Sequence, residues 1–128
     1  MNTKELKKYI YENDKIIDIL EHIGCHDIRR VNEKYVQCGL ADGDNPSSTT
    51  IFFDEYIGVN AYTRNIKSEG QTSQADIINL VAYTLKLEYI SAKNYLLSFL
   101  QLNDDNNKIQ STDAISFFRK AIKKKKKN

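Results

Sequence analysis

Two cysteines in 128 residues are too few for a disulfide framework. The opening residues, Met1-Asn2-Thr3-Lys4-Glu5-Leu6-Lys7-Lys8, lack the apolar core that a secretion signal needs. Together these absences set the expected location in a reducing cytoplasm. No run of about 18 apolar residues occurs, so no membrane partner is expected. A glycine-rich phosphate loop, a nucleophile elbow and a His-Glu metal motif are all missing. No catalytic residue is therefore assigned, and the chain is not expected to be an enzyme by itself. Asp42-Gly43-Asp44-Asn45 opens like a calcium loop, but Ser47 stands where that loop needs glycine and Phe53 where it needs glutamate. It reads as a turn.

Positive charge is scarce until the end. The formal net charge is +2. Residues 119–128 hold Arg119, Lys120 and Lys123 through Lys127, seven of the 19 basic side chains, with no acid. The first 118 residues keep 12 basic against 17 acidic side chains, a balance of about −5. Such a body has no bulk attraction for phosphate. Any nucleic-acid contact must come from a local patch, from the basic tail or through a partner.

What is present is pattern. Apolar periodicity predicts helices over residues 4–12 and 15–23, the second with Ile16, Ile19, Leu20 and Ile23 at i, i+3, i+4 and i+7. Asn13 or Asp14 is the expected cap at its start and Gly24 the left-handed stop at its end. Branched and aromatic residues between 26 and 63 predict four antiparallel strands, with turns at Asn32-Glu33 and Asp54-Glu55 and a loop over residues 42–48. Residues 64–72 read as a link. Helices return over residues 74–87, capped by Thr72 or Ser73, and from Ser91 to Leu100. Residues 1–100 thus form one α+β domain, a small antiparallel sheet flanked by N-terminal and C-terminal helices. Residues 101–128 read as a polar linker, a short helix from Asp113 to Ile122 and a basic tail.

Several segments carry a resemblance when taken in order. They are Ile17-Asp18-Ile19-Leu20-Glu21-His22-Ile23-Gly24, Tyr35-Val36-Gln37-Cys38-Gly39-Leu40-Ala41, Asn45-Pro46-Ser47-Ser48, Tyr56-Ile57-Gly58-Val59-Asn60-Ala61, Ala75-Asp76-Ile77-Ile78-Asn79-Leu80-Val81 and Ile90-Ser91-Ala92-Lys93-Asn94-Tyr95-Leu96-Leu97. Their order resembles the zinc-binding domain of bacterial and phage DNA primases, over about residues 14–100. The resemblance implies a zinc-ribbon-like sheet. It places vestigial zinc positions at Cys38, Ala41, Gly58 and Ala61, of which only Cys38 is a possible ligand. No metal and no cofactor is expected, zinc included. It further implies a non-catalytic domain or subunit of a replication system that binds single-stranded DNA template and helps a partner start a primer. That partner is a DNA polymerase, a primase core or a helicase. A mobile element or phage is the natural home for such a degenerate copy.

The residues themselves nominate a binding site. Arg29, Arg30, Lys34, Arg64 and Lys67 lie in or just after the strands, interleaved with Tyr35 and Tyr62. Cations hold phosphate and aromatic faces stack bases, the usual composition of a sequence-tolerant single-strand binder. The opposing reading is that half the aromatics are core and the cations solvated, leaving an accessory module that binds a polymerase or helicase without touching nucleic acid. His22, Cys25, His26 and Cys38 form a second candidate set, for a rearranged metal site, set against a satisfied His pair and a buried Cys.

Overall fold

A computed structural model describes residues 1–43 and 45–102. The expected helix at Asp113–Ile122, the basic tail and Asp44 lie outside the described residues. The element order is α1 (Thr3–Glu12), α2 (Ile16–His22), β1 (His26–Arg30), β2 (Tyr35–Gly39), β3 (Thr49–Phe52), β4 (Val59–Ala61), α3 (Ile77–Leu85) and α4 (Tyr89–Phe99). The fold is α+β with a small antiparallel sheet, in the order β1-β2-β3-β4, so each strand pairs with its neighbour in sequence. Asn32 Oδ1 accepts from the N–H groups of Lys34 and Tyr35, which closes the first expected turn. Asp54 Oδ1 accepts from those of Tyr56 and Ile57 and closes the second.

Strand register decides which side chains face the core. Val36, Ile51 and Val59 stand in one row, and Cys38, Thr49 and Ala61 in the next row of the same parity. That face packs with Leu6 and Ile10 of α1, Ile16, Ile19 and Leu20 of α2, Ile77, Ile78, Leu80 and Val81 of α3, and Ala92 and Leu96 of α4 in one apolar cluster. The i, i+3, i+4 pattern read in α2 is this buried stripe.

The four helices among the described residues end in the same turn. Asp14, Gly24, Lys86 and Gln101 have φ of 54°, 90°, 59° and 60°. The next N–H in each case reaches back to a helix carbonyl: Lys15 to Ile10, Cys25 to Leu20, Leu87 to Ala82 and Leu102 to Leu97. Only Gly24 meets the left-handed conformation without a Cβ penalty.

Three helix starts differ from expectation. Lys15, with no side-chain hydrogen bond, precedes α2, because Asp14 is occupied in the closing turn of α1. α3 starts at Ile77 with Asp76 as its cap, later than Thr72 or Ser73 would place it. The segment before it is held extended instead: Val59 N–H donates to Ala75 O at 2.9 Å, and Gly58 bridges Asp76. α4 starts after Glu88, ahead of Ser91, because the turn at Lys86 already releases the chain.

Among the described residues no helix is long and apolar enough to cross a membrane.

Candidate nucleic-acid interface

The face of the sheet turned away from the core is polar and continuous. Its central row is Arg29, Gln37, Thr50 and Asn60, one residue from each strand. Arg29 Nη2 lies 3.4 Å from Gln37 Oε1, Gln37 Nε2 donates to Thr50 Oγ1 at 3.2 Å, and Gln74 Nε2 donates to Asn60 Oδ1 at 3.3 Å. Two residues away along β2 and β3, Tyr35 meets Phe52 edge to face with ring centroids 5.9 Å apart. Two residues past Asn60, Tyr62 leaves 64% of its surface exposed, and its hydroxyl lies 3.4 Å from Thr50 Oγ1. The aromatic ends are therefore four residues apart, or about 13 Å along the strands.

Beyond β4 the face continues into a groove of about 580 Å³. Asn60, Tyr62, Arg64, Asn65, Lys67 and Gln74 contribute to its lining.

The nominated residues separate into three groups. Tyr35, Tyr62 and Lys67 lie on this face or in its groove, and the Lys67 side chain has no partner among the described residues. Lys34 is exposed in the β1–β2 turn, and its side chain also has no partner among the described residues. Arg29 and Arg64 point the right way but are committed to the protein's own acceptors. Arg29 Nη1 donates to Asp27 O at 2.7 Å and Pro46 O at 2.8 Å, and its Nη2 to Ser47 Oγ at 2.7 Å, which pins the Pro-Ser loop to the sheet. Arg30 does not belong to this face. It pairs with Val36, stacks 4.2 Å over the Phe53 ring and approaches Asp14 at 3.6 Å, because adjacent strand residues face opposite ways.

Of the four positions expected to be vestigial zinc positions, three lie toward one end of the sheet and one does not. Cys38 and Ala61 share a rung through Thr49, and Ala41 follows two residues after β2. Gly58 lies three rungs away, where its carbonyl accepts from Phe52 N–H. A Cβ there would stand 3.0 Å from the Gln74 side chain, so its glycine makes room for Gln74. This donor set does not fit zinc: Ala41, Gly58 and Ala61 offer no side-chain ligand. Among the described residues no group of three or more His, Cys, Asp or Glu is gathered as for a metal. The rearranged set also divides. The His22 ring stacks on Phe99 at 4.3 Å and bonds the Tyr95 hydroxyl, while His26 Nδ1 bonds Asp27 at 2.7 Å. Cys25 and Cys38 remain together, thiol to thiol.

A contact that single residues did not announce joins the two turns at this end. Arg64 donates from Nε to Asp42 Oδ2 at 3.0 Å and from Nη2 to Oδ1 at 3.3 Å. Tyr83 of α3 donates to the same carboxylate at 2.9 Å. The Arg64 guanidinium, and after it the Tyr83 hydroxyl, hold the Asp42 carboxyl below the usual carboxylate range. The same hydrogen bond pushes the Tyr83 phenol up. Asp42 follows Ala41 directly, and Arg64 lies three residues after Ala61, so the cross-link joins the segments that follow β2 and β4.

No family model matches the chain, and no curated protein or solved structure matches it.

Proposed function

We propose that this chain is a non-catalytic template-binding domain that lays a single strand across the open face of its sheet, beside a polymerising partner. The observation that carries the reading is the arrangement of that face. Aromatic residues stand at both ends of a polar row, Lys67 lies in the groove with Tyr62, and Lys34 is exposed in the turn before Tyr35; neither lysine side chain has a partner among the described residues. About 13 Å of sheet separates the two aromatic positions, and the Tyr62 ring leans back toward Thr50, so a short extended stretch of two or three nucleotides can stack bases on Tyr35 and Tyr62. The Gln37 and Asn60 side chains in between supply donors and acceptors without a single fixed code, while Thr50 is buried beneath them and holds Gln37 and Tyr62. Holding template here lowers the entropy cost of starting a primer on it. A degenerate primase ribbon, its ion replaced by the Asp42–Arg64–Tyr83 contact and by apolar packing, is the scaffold this reading assigns.

One observation favours the rival reading. Arg29, Arg30 and Arg64 are engaged within the protein, and the body is acidic. Leu87 and Ile90, 37% and 55% exposed beside the α3–α4 turn, offer an apolar contact for a polymerase or helicase.

Binding of a labelled oligothymidylate over a salt series decides between them. Each phosphate neutralised on a single strand contributes a log–log slope of about −0.7. Replacing Lys34 and Lys67 together by Ala lowers the slope by about 1.4, whatever the basic tail adds. Tyr62→Ala weakens binding by about 1–3 kcal/mol at every salt concentration, the usual worth of one stacked base. Absence of binding at low salt, beside a stable complex with a polymerase or helicase, establishes the rival.

A further inference from the structure

The two cysteines of this chain come together although 13 positions separate them in sequence. Cys25 follows the glycine that closes α2, and Cys38 belongs to β2. The pairing of His26 with Gly39 turns both thiols to the same side. Cys25 is 8% exposed and Cys38 fully buried, and both are free thiols. Gly24, next to Cys25 in sequence, and Ala41, just past β2, are both exposed, and a Cβ placed on Gly24 would lie 3.3 Å from the Ala41 Cβ. The turns next to the two cysteines therefore meet through the smallest side chains.

We infer that Cys25 and Cys38 are an oxidation site, joined into an intramolecular disulfide by a small hydroperoxide that enters past Gly24 and Ala41. A disulfide needs only two sulfurs in contact with suitably placed Cβ atoms. Holding a metal here would need further ligands, and among the described residues none gathers.

The hydrogen bond between the two thiols suggests an order of events within this inference. The hydrogen bond from the Cys25 thiol, and after it the charge of Arg29, favours the thiolate of Cys38, while that bond and burial keep Cys25 protonated. The Cys38 sulfur attacks the peroxide oxygen, the O–O bond breaks and a sulfenic acid forms with release of one water. The Cys25 sulfur then attacks the Cys38 sulfur, the S–O bond breaks and a second water leaves with the thiol proton. Two thiols and one hydrogen peroxide become one disulfide and two waters. The product closes a loop containing β1 and pins the turn that leads to Ala41 and Asp42, so the oxidised chain melts at a higher temperature.

The full chain is exposed to millimolar hydrogen peroxide, unfolded, alkylated and digested with trypsin. Peptide 16–29 is expected to appear linked to peptide 35–64, with the intact mass lower by about two units for the two lost hydrogens. Reductant reverses the mass change and the rise in melting temperature. In Cys25→Ser the attacking sulfur has no partner, so dimedone is expected to label Cys38, and it labels nothing in the unaltered chain. Recovery of two alkylated cysteines after exposure overturns the inference, as does a link between two copies of the chain. Both of those results come from the unaltered protein and do not depend on how the variant folds.

Discussion

Two clusters in this molecule use the same three kinds of group, an aspartate, a cation and a tyrosine hydroxyl. At the helical side Asp76 Oδ2 accepts from Lys7 Nζ and from the Tyr89 hydroxyl, both at 2.8 Å. At the turn end Asp42 accepts from Arg64 and Tyr83. Their surroundings differ. The side chains of Lys7 and Asp76 are 8% and 4% exposed, those of Arg64 and Asp42 31% and 44%. The buried cluster ties α1 to α3 and α4, with the Lys7 ammonium 3.7 Å from the centre of the Tyr56 ring and Asp76 Oδ1 capping α3. Burial pushes the Tyr89 phenol up, helped by the charge of Asp76. Out of water each of these groups depends on the others, whereas at the surface solvent takes over whatever a partner gives up. The same chemistry therefore fixes the fold at one end and trims a turn at the other.

The largest effect expected from breaking this contrast comes at Asp76. Asp76→Ala leaves a buried ammonium without its counter-charge and removes the cap of α3. A loss of about 4 kcal/mol is expected in urea denaturation. A loss below about 1 kcal/mol would mean that Lys7 escapes to solvent, and the contrast between the clusters would fail. Neutralising both partners sharpens the test. In Lys7→Met with Asp76→Asn the asparagine still caps the helix and accepts from Tyr89, and methionine fills the lysine's channel. The expected loss is only about 1 kcal/mol, at least about 2 kcal/mol less than the sum of the losses from Lys7→Met and Asp76→Asn made singly, each of which leaves a buried charge unpaired or its partner unmatched.

These clusters also show what the sequence could and could not reveal. Each helix has its own period, so the α2 stripe from Ile16 to Ile23 and the Ala92 and Leu96 positions of α4 were readable locally. So were the strands, because Asn32 and Asp54 close tight turns with their own side chains. Cap positions were misread where a distant strand intervened, as at Asp76, whose segment is held by β4 before the helix begins. The charged contacts were hidden because their partners lie far apart, 69 positions for Lys7 and Asp76 and 22 for Asp42 and Arg64. The face proposed to bind template was half legible. Cations and aromatics between 29 and 67 marked the region, yet β-alternation separated Arg29 from Arg30, and local acceptors engaged Arg29 and Arg64. The row Gln37, Thr50 and Asn60 carries no signal of its own. It emerges once three strands are in register, although the alternation Thr49, Thr50, Ile51, Phe52 already put Thr50 and Phe52 on one side.

The smallest effect expected is at the exposed cluster, and pH reads it best. The folded Asp42 carboxyl titrates below its unfolded value of about 3.9. Its contribution is therefore complete above that value and is lost as the pH falls through the lower, folded one. The folded Tyr83 phenol titrates above the ordinary value of about 10, so its contribution is complete below that value and is lost as the pH rises beyond it. Asp42→Asn should barely change the melting temperature near neutrality, but it should flatten the fall in stability below about pH 4, because the variant has no carboxylate to protonate. Tyr83→Phe should do the same on the alkaline side, with the acid limb largely retained through Arg64. If Asp42→Asn lowered the midpoint at pH 7 as much as Asp76→Ala, the exposed cluster would hold the fold as strongly as the buried one. Solvent would then have failed to compensate a side chain that is nearly half exposed.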